Sequence, residues 1–249
     1  MQFSSEYIET LKLYEESGID ESYGDVPYNF FLENKGIFVK DDNKPVKKNV
    51  ENISILKAKQ EAEKLLSSAG SLADVQKILS EFTLNPLSKF ATHSIVGVGV
   101  EAPDLLVITE MPNADEDRSG VALSGATGEM LKKILTAIHC SVESNAYVFP
   151  ASAFRAPGAR MPTSEEMEIS VPFIKKFISI LKPKVILTMG SLPTNALLCG
   201  DEPITSLRGK WAEYQGIPLM PTFSLTYLLN NIEAKKKAWA DLQLLAEKL

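Results

Sequence analysis

The carboxylates of Thr109-Glu-Met-Pro-Asn-Ala-Asp-Glu-Asp-Arg118 are the residues best placed to do chemistry in this chain. They follow a short apolar run, Asp104-Leu-Leu-Val-Ile-Thr109, which reads as a buried strand. In α/β proteins, the loop leaving the end of a central strand is where ligand sites are built. Two later segments, around Pro150 and Ser224, hang off strand-like runs in the same way. The plain reading of Glu110 is a carboxylate that caps a helix or turn. Asp115-Glu116-Asp117 could form a metal or acid–base cluster. No His or spaced carboxylate partner accompanies it, so a solvated loop is expected. His93 and His139 lie outside these motifs and are expected to be structural. Cys140 and Cys199 sit at predicted helix ends, where buried thiols are the default.

The elements that must position these loops follow from periodicity. Strands are predicted at Leu105–Ile108, Tyr147–Phe149, Val185–Thr188 and Pro218–Met220. Helices are predicted at Thr127–Ile138, Ser164–Leu181, Leu192–Leu198 and Ile232–Leu249, the second opened by a Thr163/Glu166 capping box. Ser206–Tyr214 reads as a loop leading to a hairpin. This alternation implies a three-layer α/β/α sandwich around a central, mostly parallel sheet. Residues 1–50 read as an N-terminal helical extension and linker, and 51–249 as the α/β/α domain. In the extension, Phe3–Ser17 has helical spacing and Asp41–Asn49 is the best linker. A charged helix at about Ile53–Ser67 and a second one capped by Ser71 and Asp74 follow.

Composition bounds the partners. Two cysteines in 249 residues exclude a disulfide scaffold and fit a reducing cytoplasm. No apolar run approaches the roughly 20 residues that cross a bilayer, so no membrane partner is expected. The N-terminus lacks the cationic head and apolar core of a signal peptide. A net charge of −6 and a pI near 5.2 disfavour a large phosphate-binding face, though a local basic groove stays open.

From about Asn85 onward the chain resembles the family 4 uracil-DNA glycosylases, the iron–sulfur branch of that superfamily. The resemblance rests on Thr109–Gly125, against a family pattern near G-E-A-P-G-x-x-E-D-x-x-G-x-P-F-V-G, and on Phe149–Pro162. Pro183-Lys-Val-Ile-Leu-Thr-Met-Gly190, Leu207-Arg-Gly-Lys-Trp211 and Ser224-Leu-Thr-Tyr-Leu-Leu-Asn230 add three further motifs. It implies a DNA repair enzyme that flips uracil out of the stack, holds it on a ring, reads its edge and stabilises the departing anion.

The departures fall where that chemistry would sit. The family's stacking Phe falls at Leu123, its base-reading Asn at Pro150 and its catalytic His at Ser224. Proline offers no side-chain polar group and no N–H. The cluster cysteines would lie near Asn85 and just upstream, at Phe154 and near Ser170, and none is Cys. Two cysteines elsewhere cannot supply four thiolates, so no iron–sulfur cluster, no metal and no other cofactor is expected. Glu110 is the one catalytic candidate left. Pro112, Asn113, Arg155, Arg160, Arg208 and Thr226 are candidate base or DNA contacts, with loop ion pairs an equal reading for the arginines. A positioned acid or base is worth about 10²–10⁴ in rate, so a catalytically degenerate member retained to bind DNA or a protein partner is the favoured expectation. A rebuilt glycosylase using Glu110 is the alternative, and a hydrolase or transferase of another nucleotide is a third.

Overall fold

The computed structural model describes residues 47–200 and 202–249, with side chains from residue 55 onward. The helix expected at 3–17 and most of the linker at 41–49 lie outside the described residues. Lys47-Lys-Asn49, expected as linker, are instead the first turn of α1 (Lys47–Ser67), which starts six residues before the expected Ile53. Lysine is a good helix former, and nothing apolar marks the true start of so polar a segment. The next helix, α2 (Leu72–Glu81), has the capping box expected of Ser71 and Asp74.

Six strands follow: β1 (Val98–Gly99), β2 (Leu105–Thr109), β3 (Ala146–Pro150), β4 (Val185–Met189), β5 (Ala212–Tyr214) and β6 (Ile217–Thr222). They form one sheet in the order β1-β3-β2-β4-β6-β5. The four inner strands are parallel, and the edge strands β1 and β5 are antiparallel to their neighbours. Between them lie α3 (Ala114–Ser119), α4 (Gly125–Ala137), α5 (Ser164–Leu181), α6 (Ser191–Leu198) and α7 (Ile204–Leu207), with α8 (Leu225–Asn230) and α9 (Ile232–Ala246) closing the chain.

Strand alternation divides the interior into two cores. Leu106 and Ile108 of β2, with Tyr147 and Phe149 of β3, face the layer of α1, α2, α5 and α6. Leu105 and Val107, with Ala146 and Val148, face α4, α8 and α9. The three-layer sandwich is therefore the observed architecture. A parallel sheet buried on both faces explains why β2, β3 and β4 read as unbroken apolar runs. The Thr163/Glu166 capping box opens α5 as expected. The expected hairpin is β5–β6, turning through Gln215 and Gly216, both at positive φ.

Two expectations need correction. Asp115–Asp117 is not a loop but the body of α3, whose capping box pairs Asn113 with Glu116. Acidic residues in a first helical turn favour the helix through its dipole. Cys199 is exposed rather than buried, because it holds the left-handed turn at the end of α6, where the chain leaves the sheet. Cys140 is buried. His93 and His139 are both exposed, His93 with Nδ1 2.7 Å from the Asp117 carbonyl oxygen. No helix among the described residues is long and apolar enough to cross a membrane.

Candidate active site

The C-terminal ends of β2, β3 and β6 open onto a cleft of about 580 Å³. Its walls bring together Glu110, Pro112, Asn113, Leu123, Pro150, Arg155, Ser224 and Thr226, residues up to 116 positions apart in sequence (Glu110 to Thr226). Arg160 and Arg208 do not line it. Met111, Thr127, Met161, Tyr227 and Asn230 do, and sequence reasoning missed them. Tyr227 and Asn230 had a weak signal, being one helical turn apart in the segment after Ser224.

Glu110 leaves β2 towards the start of α6. Gly190, the N-cap of α6, offers no capping side chain, and a Cβ there would lie 2.2 Å from the Glu110 Oε1. The carboxylate thus stands where that helix needs an acceptor. Burial pushes its pKa up, opposed by the Ser224 hydroxyl and by the backbone N–H groups of Leu192 and Ser191. Ser224 itself caps α8, its Oγ accepting from the Tyr227 N–H at 3.3 Å. The two residues that fall at catalytic positions therefore both serve helix ends.

Leu123 is buried at φ 61°, a left-handed backbone that a leucine adopts only under constraint. The constraint is Glu116: its Oε1 accepts the Leu123 N–H at 2.8 Å while Oε2 accepts the Asn113 N–H at 2.9 Å. Gly128 seals the loop, since a Cβ there would lie 2.1 Å from the Leu123 carbonyl oxygen. Burial raises the Glu116 pKa, with those two N–H groups opposing. Asn113 is equally committed. Its Oδ1 accepts from Asp115 and Glu116, and its Nδ2 donates to the Ser124 carbonyl at 2.8 Å and to Thr127 Oγ1 at 2.6 Å.

Each candidate arginine has a partner inside the molecule. Arg155 donates to the Pro112 carbonyl at 2.9 Å. Arg160 forms a bidentate pair with Glu166, at 2.7 and 2.8 Å, and lowers the pKa of that carboxyl. Arg208 grips the buried Asp241, which also accepts from Thr222 Oγ1 at 2.7 Å, and lies 5.1 Å from the centre of the Phe223 ring. Pro150 pairs with Thr109 at the end of the β2–β3 ladder, where a residue without an N–H costs no inner hydrogen bond.

Behind Pro150, the positions near which the resemblance expects cluster cysteines do converge. Phe82, Asn85, Phe154 and Ser170 surround a cavity of about 10 Å³. Two phenyl rings, an amide and a hydroxyl include no thiolate, so this donor set does not fit an iron–sulfur cluster. Among the described residues, no three of His, Cys, Asp and Glu converge to hold a metal ion.

Comparison with known proteins places this geometry in context. Residues 96–243 match the model of the uracil DNA glycosylase superfamily. A type-4 uracil-DNA glycosylase of Pyrobaculum aerophilum is 30% identical over 147 residues, 57% of this chain and 70% of that protein. One from Thermotoga maritima is 29% identical over 159 residues, 63% of this chain and 82% of the relative. A DNA polymerase of Bacillus phage SP01 is 25% identical over 166 residues, 67% of this chain but 18% of the polymerase.

Proposed function

Because the chain belongs to the uracil DNA glycosylase superfamily, we propose that it holds a nucleobase of DNA in its cleft without cutting the glycosidic bond. The observation that carries this reading is the open cleft of about 580 Å³, whose catalytic positions are occupied by structural residues. Its volume lies within the range of small-molecule sites, and its lining is largely apolar with a few polar groups.

Cleavage would need a donor to the anion that develops on the base and an activated water at the sugar. Pro150 has no donor. The Ser224 hydroxyl faces Glu110 and carries no positive charge. Leu123 gives apolar contact but no ring. Tyr227, half-exposed at the cleft, supplies an aromatic face that could stack on a base. With Arg155, Arg160 and Arg208 held internally, the grip on phosphate is weak, which suits recognition of a base more than of a backbone. The phage polymerase relative, in which the similar stretch is a minor part of a longer chain, supports a setting in DNA metabolism.

The second reading is an active glycosylase using Glu110, favoured by its place in the cleft wall and by the burial that raises its pKa. A glycosylase assay on uracil-containing single- and double-stranded DNA, run beside fluorescence anisotropy, separates the two. Binding with no cleavage, and with a shallow dependence on salt, is the expected result. Cleavage abolished in Glu110→Gln would establish the second reading. No binding to any DNA would remove the first and leave a protein partner as the target.

A further inference from the structure

Asn85 is 2% exposed and Ser170 is 6% exposed, yet both carry polar side chains inside an aromatic surround. A buried amide must find partners. Asn85 Oδ1 accepts the Leu87 N–H at 2.9 Å, and its Nδ2 reaches Ser170 Oγ at 3.5 Å, across 85 residues of sequence. Ser170 in turn reaches back to the Glu166 carbonyl oxygen. Phe82 meets Phe173 of α5 edge to face, with ring centres 5.3 Å apart. Phe154 is buried in the turn after β3, and Ser152 Oγ donates to its carbonyl oxygen at 3.0 Å. The space left among them, about 10 Å³, holds one water at most.

We infer that Phe82, Asn85, Phe154 and Ser170 form a metal-free plug that cross-braces α2, the β3 exit and α5, and that backs the cleft wall at Phe149 and Pro150. Bonds from four thiolates to a cluster would tie three distant segments at one point. Here an edge-to-face ring pair and one amide–hydroxyl contact tie the end of α2 to α5, Phe149 stacked on Phe177 ties β3 to α5, and Phe154 lines the same cavity from the β3 exit. Phe149 and Pro150 line both this cavity and the cleft, so the brace sets the position of the wall that faces a ligand. Phe149 is fixed from the same side by Phe177, stacked at 4.7 Å. The brace needs neither iron nor a reducing environment.

The test uses the full chain. Anaerobic reconstitution of the native protein with ferrous iron and sulfide should yield no brown chromophore, and ferricyanide or a chelator should leave the melting temperature unchanged. Bound iron, or a melt that falls on oxidation, would overturn the inference. Phe154→Ala should lower the melting temperature by about 10 °C, since a buried Phe deletion is among the costliest core changes. Asn85→Ala and Ser170→Ala should each lower it, and the double variant should fall by less than their sum because the two share one contact. Additive losses, or a Phe154→Ala melt like the native one, would overturn the brace. Finally, a folded variant with Phe82, Asn85, Phe154 and Ser170 all replaced by Cys should take up iron and sulfide. A folded variant that takes up none would show that the four positions do not converge.

Discussion

The plug and the cleft share Phe149 and Pro150 and differ in what fills them. At the plug, every position where the resemblance expects a metal ligand carries a side chain that completes the core, leaving about 10 Å³. At the cleft, three positions where it expects functional groups have changed, at Leu123, Pro150 and Ser224, and Glu110 is kept, yet about 580 Å³ stays open. Replacing chemistry does not oblige a chain to keep the space. Filling it with apolar side chains would gain burial at roughly 25 cal/mol per Å². One hole is filled and its neighbour is walled by a left-handed leucine, two capping networks and Arg155, which is held by the Pro112 carbonyl. An open cleft beside a filled cavity is what the proposed binding role requires.

Substitutions on the two sides should therefore behave differently. Phe177→Ala, beside the plug, should destabilise the fold by about 3–5 kcal/mol in urea unfolding. A loss below about 1 kcal/mol would mean that the aromatic region is looser than its contacts imply. On the opposite face of the sheet, Arg208→Ala strands the buried Asp241 carboxylate and should cost about 3 kcal/mol. If DNA binding weakened while stability held, Arg208 would be a phosphate contact after all. At the cleft, Tyr227→Ala should leave the melting temperature alone and weaken binding of a single-stranded oligonucleotide about tenfold, the scale of one lost base stack. Unchanged binding would move the ligand away from that wall.

The smallest effect is one of pH. Burial raises the Glu110 carboxyl above its ordinary 4.5, so the folded state binds that proton more tightly. Its contribution to stability is present below 4.5 and lost as pH rises through the folded value. Glu166 has the opposite sign. The Arg160 hydrogen bond lowers its pKa, so its contribution is present above 4.5 and lost as pH falls through the lowered value. Glu110→Gln should flatten the stability profile on the alkaline side of 4.5, and Glu166→Gln on the acid side. Urea midpoints measured from acid to neutral pH would check both, and parallel profiles would show that neither group is coupled to folding.

Much of the fold was legible because its signals are local. The apolar runs of β2, β3 and β4 and the capping boxes at Ser71 and Thr163 need only neighbouring residues to be read. The short helix α3 was missed although its Asn113/Glu116 box was present, because a run of three carboxylates reads as solvated chain. At the cleft, eight of the marked residues come together, since each follows a strand whose end points to the same edge. For Arg160 and Arg208 the sequence left phosphate contact and loop ion pair equal, because a guanidinium in a loop looks the same whether it awaits a phosphate or already holds Glu166 or Asp241. Tyr227 and Met161 escaped notice because exposure at a rim is a property of the assembled surface.

Sequence alone determined which chemical groups this protein has. Four thiolates are absent, Pro150 cannot donate, and Ser224 cannot carry charge, whatever the chain's shape. Only the tertiary structure decided what the remaining groups do. Glu110 reads in sequence as a base or a cap, and the fold sets its carboxylate beside the α6 N-terminus and the Ser224 hydroxyl. Phe82, Asn85, Phe154 and Ser170 could have been unrelated core residues, and packing brings them to one point. Residue types fix the chemistry available, but partners distant in sequence fix which lone pairs, protons and spaces are still free to use.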